Sequence, residues 1–64
     1  MNDIGIDRQI ACVRREVGMR EHVYQRRVAD DKMTKAKADE EIATMRAVLA
    51  TLEGVREEIA PKLL

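Results

Sequence analysis

An all-α fold, an antiparallel two-helix hairpin dimerising into a four-helix bundle, is what three features of this 64-residue sequence predict. The first is a pair of apolar stripes at helical spacing: Ile6, Ile10, Val13, Val17, Tyr24, Val28, then Ala38, Ile42, Met45, Leu49, Leu52. The second is the break between them, where Asp30 and Asp31 interrupt the rhythm and Thr34 stands where an N-cap belongs. The third is mirror symmetry about Lys32. Val28 falls opposite Ala38, Tyr24 opposite Ile42, Val17 opposite Leu49, Val13 opposite Leu52 and Ile6 opposite Ile59, each pair of numbers adding to 65 or 66. An antiparallel hairpin requires that relation.

Taken in order, residues 1–6 form a flexible N-terminal arm in which Gly5 lowers helix propensity. Asp7 is the N-cap candidate for a first helix over 7–29, with Ile6 packing on its first turn. Its stripe residues fall within about 60° of one another on the helical wheel. One seat in the stripe, Arg20 or Glu21 opposite Met45, lacks an apolar residue, and the long stem of Arg20 is expected to cover Met45 while its head stays in water. Gly18 lies inside the helix against propensity, allowing either a close helix approach or a bend. Residues 30–34 make the turn. The second helix covers 35–60, continuous through Gly54 because Ile59 keeps the phase of the stripe, and Pro61 bounds it before a tail over 61–64. Arg26 and Arg27 suit the C-terminal end of the first helix dipole; Asp39, Glu40 and Glu41 suit the start of the second. Glu16 with Arg20 and Glu58 with Lys62 are spaced as i,i+4 ion pairs. Tyr24, the only aromatic residue, is expected to be largely buried beside Ile42.

Charged residues make up 38% of the chain and the formal net charge is zero, which removes the simplest argument for nucleic acid. Residues 1–28 hold six Arg against four acids, and 29–64 hold six Lys or Arg against eight. The resulting +2 and −2 halves suit two helices that complement each other. Cys12 is the single cysteine, so no intramolecular disulfide forms, and a reducing compartment is expected. No apolar run approaches a membrane span. The expectation is a soluble, cytoplasmic protein with no membrane association.

The run Arg20-Glu21-His22-Val23-Tyr24, then Arg26-Arg27-Val28-Ala29, Lys32-Met33-Thr34 and Ala36 through Leu49 resembles small uncharacterised proteins common in phages and prophages of proteobacteria. The likeness covers roughly residues 9–53. Gln25 replaces a Pro usual in that group, so the first helix runs unkinked, and Asp31 replaces a usual turn Gly. The resemblance implies a phage-type accessory protein. It brings no established activity and no catalytic residue.

No catalytic constellation emerges from the residues themselves. Cys12 and His22 lie ten positions apart on one helix, about 15 Å along its axis, too far to act as nucleophile and base. A half-buried Cys and a surface His are expected. A metal site lacks a second Cys or His, and the acids Asp30, Asp31, Asp39, Glu40 and Glu41 do not have calcium-loop spacing. The protein reads as a non-enzyme with no cofactor. Arg8, Arg15, His22 and Arg26 line one edge of the first helix, the one pattern that suggests phosphate contact. Aromatic residues to stack on bases are missing, and Glu16 and Glu21 lie nearby.

The most informative residues are the apolar ones outside the seam. Cys12, Met19 and Val23 cluster about 120° from the main stripe of the first helix. Val48 and Val55 flank the seam on the second, next to a small-residue line through Ala36, Ala43, Ala47, Ala50 and Gly54. A two-helix hairpin is near the lower size limit for independent folding. The candidate self-association residues are therefore Cys12, Met19, Val23, Ala43, Ala47, Val48, Ala50 and Val55. The functional expectation is an accessory protein acting through self-association and contacts with an unidentified protein partner. The alternative is a small nucleic-acid-associated protein that uses the Arg8/Arg15/His22/Arg26 edge.

Overall fold

The computed structural model describes residues 2–59: helix α1, Ile6–Ala29, a short turn, and helix α2, Lys35–Ile59, packed against α1. No strand occurs among the described residues. The all-α hairpin expected from the two stripes is the observed fold. Ala60, where the second helix was expected to end, lies outside the described residues, as do Met1, the 61–64 tail and the Lys62 end of the Glu58 pair.

Helix α1 starts one position earlier than expected. Gly5, in extended conformation at φ −66° and ψ 157°, takes the N-cap position and makes no side-chain cap bond. Asp7 is instead in the first turn, where its charge suits the dipole. The arm before the helix is tied to it, since Gln9 Nε2 donates to the Ile4 carbonyl at 2.8 Å and Ile4 N–H donates to Asn2 Oδ1 at 2.9 Å.

The turn is closed by paired backbone bonds. Lys32 N–H donates to the Arg27 carbonyl at 2.8 Å and Asp31 N–H to the Val28 carbonyl at 3.1 Å. These are the two bonds of a Schellman ending, which needs a left-handed residue at the position Asp31 occupies. Asp31 has φ 58°, a conformation that glycine adopts without cost and aspartate adopts less readily. Thr34 then caps α2 as expected: Lys37 N–H donates to Thr34 Oγ1 at 3.1 Å. Half-buried Met33 and buried Ala38 occupy the positions of a hydrophobic staple on either side of that cap.

Ile10, Val17 and Ala38 are the buried apolar residues, one seam position from each of three levels. The other stripe residues, including Val13, Tyr24, Ile42, Met45, Leu49 and Leu52, are half-buried. Tyr24 lies beside Ile42 as expected and keeps a partly exposed side, because two helices shield a seam side chain from only one direction. At the open end Ile6 is half-buried but Ile59 is 47% exposed, so the Ile6–Ile59 level does not close. Helix α2 runs unbroken through Gly54. A Cβ added at Gly18 would meet nothing within 4 Å, so this glycine serves no close helix approach within the hairpin.

Acids at the start of α2 do not act as dipole partners in its first turn, which contains none. Asp39 and Glu41 lie one turn later and accept from Lys35 at 2.9 Å and Lys37 at 3.2 Å. Side chain to side chain pairing, rather than the helix end, explains their positions.

Candidate interaction face

Three ion pairs join the helices: Arg14 with Glu53 at 2.7 Å, Arg46 with Glu21 at 2.6 Å, and Arg56 with Asp7. Their residue numbers add to 67, 67 and 63, fixing which positions share a level. They do not follow the +2/−2 division of the halves, since two of the three take their acid from α1. All lie at the surface, and each by itself contributes little to stability. Their value here is as markers of direction.

A step of two residues on an α-helix turns the side chain by about 200°. Cys12 lies two positions from Arg14, Val23 two from Glu21, Val48 two from Arg46 and Val55 two from Glu53. Each apolar residue therefore points away from the side that its ion-paired neighbour closes. The hairpin has one flank bridged by Arg14–Glu53 and Glu21–Arg46, and an opposite flank carrying Cys12, Val23, Val48 and Val55. Met19 borders that open flank at the outer edge of α1. Among these, Met19 is 53% exposed, Val48 43%, Val55 41% and Val23 38%. Cys12 is exposed, contrary to the half-buried position expected from the sequence.

The eight candidate self-association residues thus divide. Cys12, Met19, Val23, Val48 and Val55 are gathered on the open flank. Ala43 and Ala50 lie three positions from Arg46 and Glu53, hence about 60° from them, on the bridged side. Ala47 faces directly outward from α2, as do Ala36 and Gly54, and all five small residues are exposed. Near the open end, Ile4, Cys12, Val13 and Leu52 line a shallow apolar depression on the open flank.

Polar groups on the open flank pair along their own helices. Glu16 Oε1 accepts from Arg20 Nε at 3.2 Å and Tyr24 Oη from Arg20 Nη1 at 3.3 Å. The Glu16 bond first, then the Tyr24 bond, raises the Arg20 pKa above its ordinary value. Arg20 is half-buried with its head held over its own helix. Lys37 is likewise raised, chiefly by its bond to Glu41.

The arginine edge lies on the outer side of α1. Arg8, Arg15, His22 and Arg26 are all exposed, and none joins an ion pair among the described residues. Glu16 and Glu21, the acids nearest this edge in the sequence, are engaged by Arg20 and Arg46. No cluster of metal-ligating side chains occurs among the described residues, and no helix there is long and apolar enough to cross a membrane.

The interhelical ion pairs, which show the direction of each flank, are not foreseen in the sequence analysis. Their signal was present: Asp7, Arg14 and Glu21 recur every seven residues with alternating sign, and Arg46 and Glu53 are also seven apart. Compared with protein-family models, curated proteins and solved structures, the chain matches none.

Proposed function

We propose that this protein is a small non-enzymatic accessory protein that works by self-association and protein contacts through the open flank of its hairpin. The observation carrying this reading is the sorting of exposed aliphatic residues onto one flank while the interhelical ion pairs occupy the other. The surface area supports it. The chain exposes 5287 Å² and is 49 Å long, whereas a compact folded protein of 7.3 kDa exposes about 4200 Å². An elongated hairpin leaves more surface uncovered than a compact protein of its mass, and the apolar open flank is part of that surface. A phage-type role fits the resemblance of residues 9–53, and the single Cys12 suits a reducing cytoplasm.

A second reading rests on a separate observation, the unneutralised Arg8/Arg15/Arg26 edge with His22 beside it. It describes a nucleic-acid-associated protein whose cationic edge is doubled by a dimer. Sedimentation equilibrium on the wild-type chain tests the first reading, which expects a dimer and is overturned by a monomer. Fluorescence anisotropy with labelled DNA and RNA tests the second. Tight binding that weakens steeply with salt, and is lost in the Arg8→Gln/Arg15→Gln/Arg26→Gln variant, would favour it.

A further inference from the structure

We infer that the occupant of the open flank is a second copy of this chain, related by a two-fold axis running parallel to the helices, with α1 of each copy lying on α2 of the other. The inference rests on the self-association reading and adds the arrangement. Charge complementarity decides it.

Two face-to-face arrangements of a hairpin are compatible with a two-fold axis in the interface. An axis across the helices lays α1 on the partner's α1 and α2 on the partner's α2. That sets the arginine edge of one copy beside the same edge of the other, and the glutamates of α2 beside glutamates. An axis along the helices preserves level and lays α1 on the partner's α2. Residue numbers on facing helices then add to the same values as the ion pairs inside the hairpin.

The outer edges match at those levels. Arg26 comes level with Glu40 of the second copy, and Arg8 with its Glu58; both pairs of numbers add to 66. Glu40 and Glu58 lie on the outer side of α2, about 160° from its seam, as Arg8 and Arg26 lie on the outer side of α1. None of the four joins an ion pair among the described residues. The apolar residues match as well. Met19 comes level with Val48 of the second copy and Cys12 with its Val55, each pair adding to 67, as Arg14–Glu53 and Glu21–Arg46 do. One arrangement therefore places exposed aliphatics against each other and sets cations level with anions, none of which forms an ion pair among the described residues, while the other opposes like charges.

The test keeps the natural Cys12 and adds Val55→Cys. Within one chain the two thiols are level but on separate helices, each turned about 100° or more from the seam, so an intrachain bridge is disfavoured and would run as a monomer on a non-reducing gel. Mild oxidation by oxidised glutathione at low protein concentration should give a covalent dimer whose peptide map contains Cys12 joined to residue 55 of the other chain. The wild type, treated alike, should stay uncrosslinked. In parallel, Arg26→Glu and Glu40→Arg should each raise the dimer Kd about tenfold or more, and mixing the two variants should restore association by heterodimer formation. A wild type that sediments as a monomer overturns the self-association reading and this arrangement together. A wild-type dimer that yields no Cys12-to-55 bridge, or whose Kd is indifferent to Arg26→Glu, overturns the arrangement alone.

Discussion

Arg46 and Val48 stand two positions apart on α2 and serve opposite sides of the hairpin. Arg46 closes one flank through its 2.6 Å bond to Glu21, while Val48 stays 43% exposed on the other. The same offset relates Glu53 to Val55, Arg14 to Cys12 and Glu21 to Val23. Charged pairs occur on both flanks, but the exposed aliphatic residues gather on the one that no interhelical ion pair bridges, and this asymmetry is the basis of the functional proposal.

Gly18 gives a sharp test of where a second helix does not lie. A Cβ at this position meets nothing within 4 Å, and the residue is on the side of α1 away from the open flank. Gly18→Ala should therefore raise stability by about 1 kcal/mol through helix propensity alone, without changing association. Thermal unfolding followed by circular dichroism measures this. A lower melting temperature would place another helix against Gly18.

The turn offers a matched pair of changes. Asp31 holds φ 58°, so Asp31→Gly should relieve the backbone and stabilise the hairpin by about 1 kcal/mol. Thr34→Ala removes the acceptor for Lys37 N–H and should cost about 1 kcal/mol. Urea unfolding of both variants checks the signs. Destabilisation by Asp31→Gly would show that the Asp31 side chain itself supports the turn.

Alkaline pH should weaken the start of α2. Hydrogen bonds to Asp39 and to Glu41 raise the pKa of Lys35 and Lys37 above the ordinary 10.5. Because the folded value exceeds the unfolded one, this contribution is complete below 10.5 and disappears as pH rises through the folded value. Both side chains are solvent-exposed, so the effect is small. The melting temperature of wild type should fall more between about pH 9 and about pH 11.5 than that of Lys35→Gln/Lys37→Gln. Equal losses would contradict the assignment.

The architecture was legible because its signals are local. The Asp30-Asp31 break, the Thr34 cap and the two stripes each depend on residues within a few positions of one another. Where the reading failed, a distant residue had intervened. Asp7 looked like a cap but pairs with Arg56 across the hairpin, and Gln9 binds the arm in its place. Ile59 keeps the phase of the seam, yet phase alone does not reveal that a two-layer fold leaves one side of the seam uncovered. The surplus apolar residues were identifiable one by one. Their separation from Ala43, Ala47 and Ala50 was not, because it depends on which flank of α1 meets which flank of α2, and only the interhelical ion pairs show that.

Sedimentation equilibrium of the wild type, Val48→Glu and Ala47→Glu tests the central claim most directly. Val48 and Ala47 are adjacent in sequence, but only Val48 lies on the open flank. Association through that flank predicts a dimeric wild type, a monomeric Val48→Glu, where a carboxylate would be desolvated without a partner, and an Ala47→Glu that remains dimeric. A monomeric wild type, or a Val48→Glu that associates as tightly as the wild type, would contradict it.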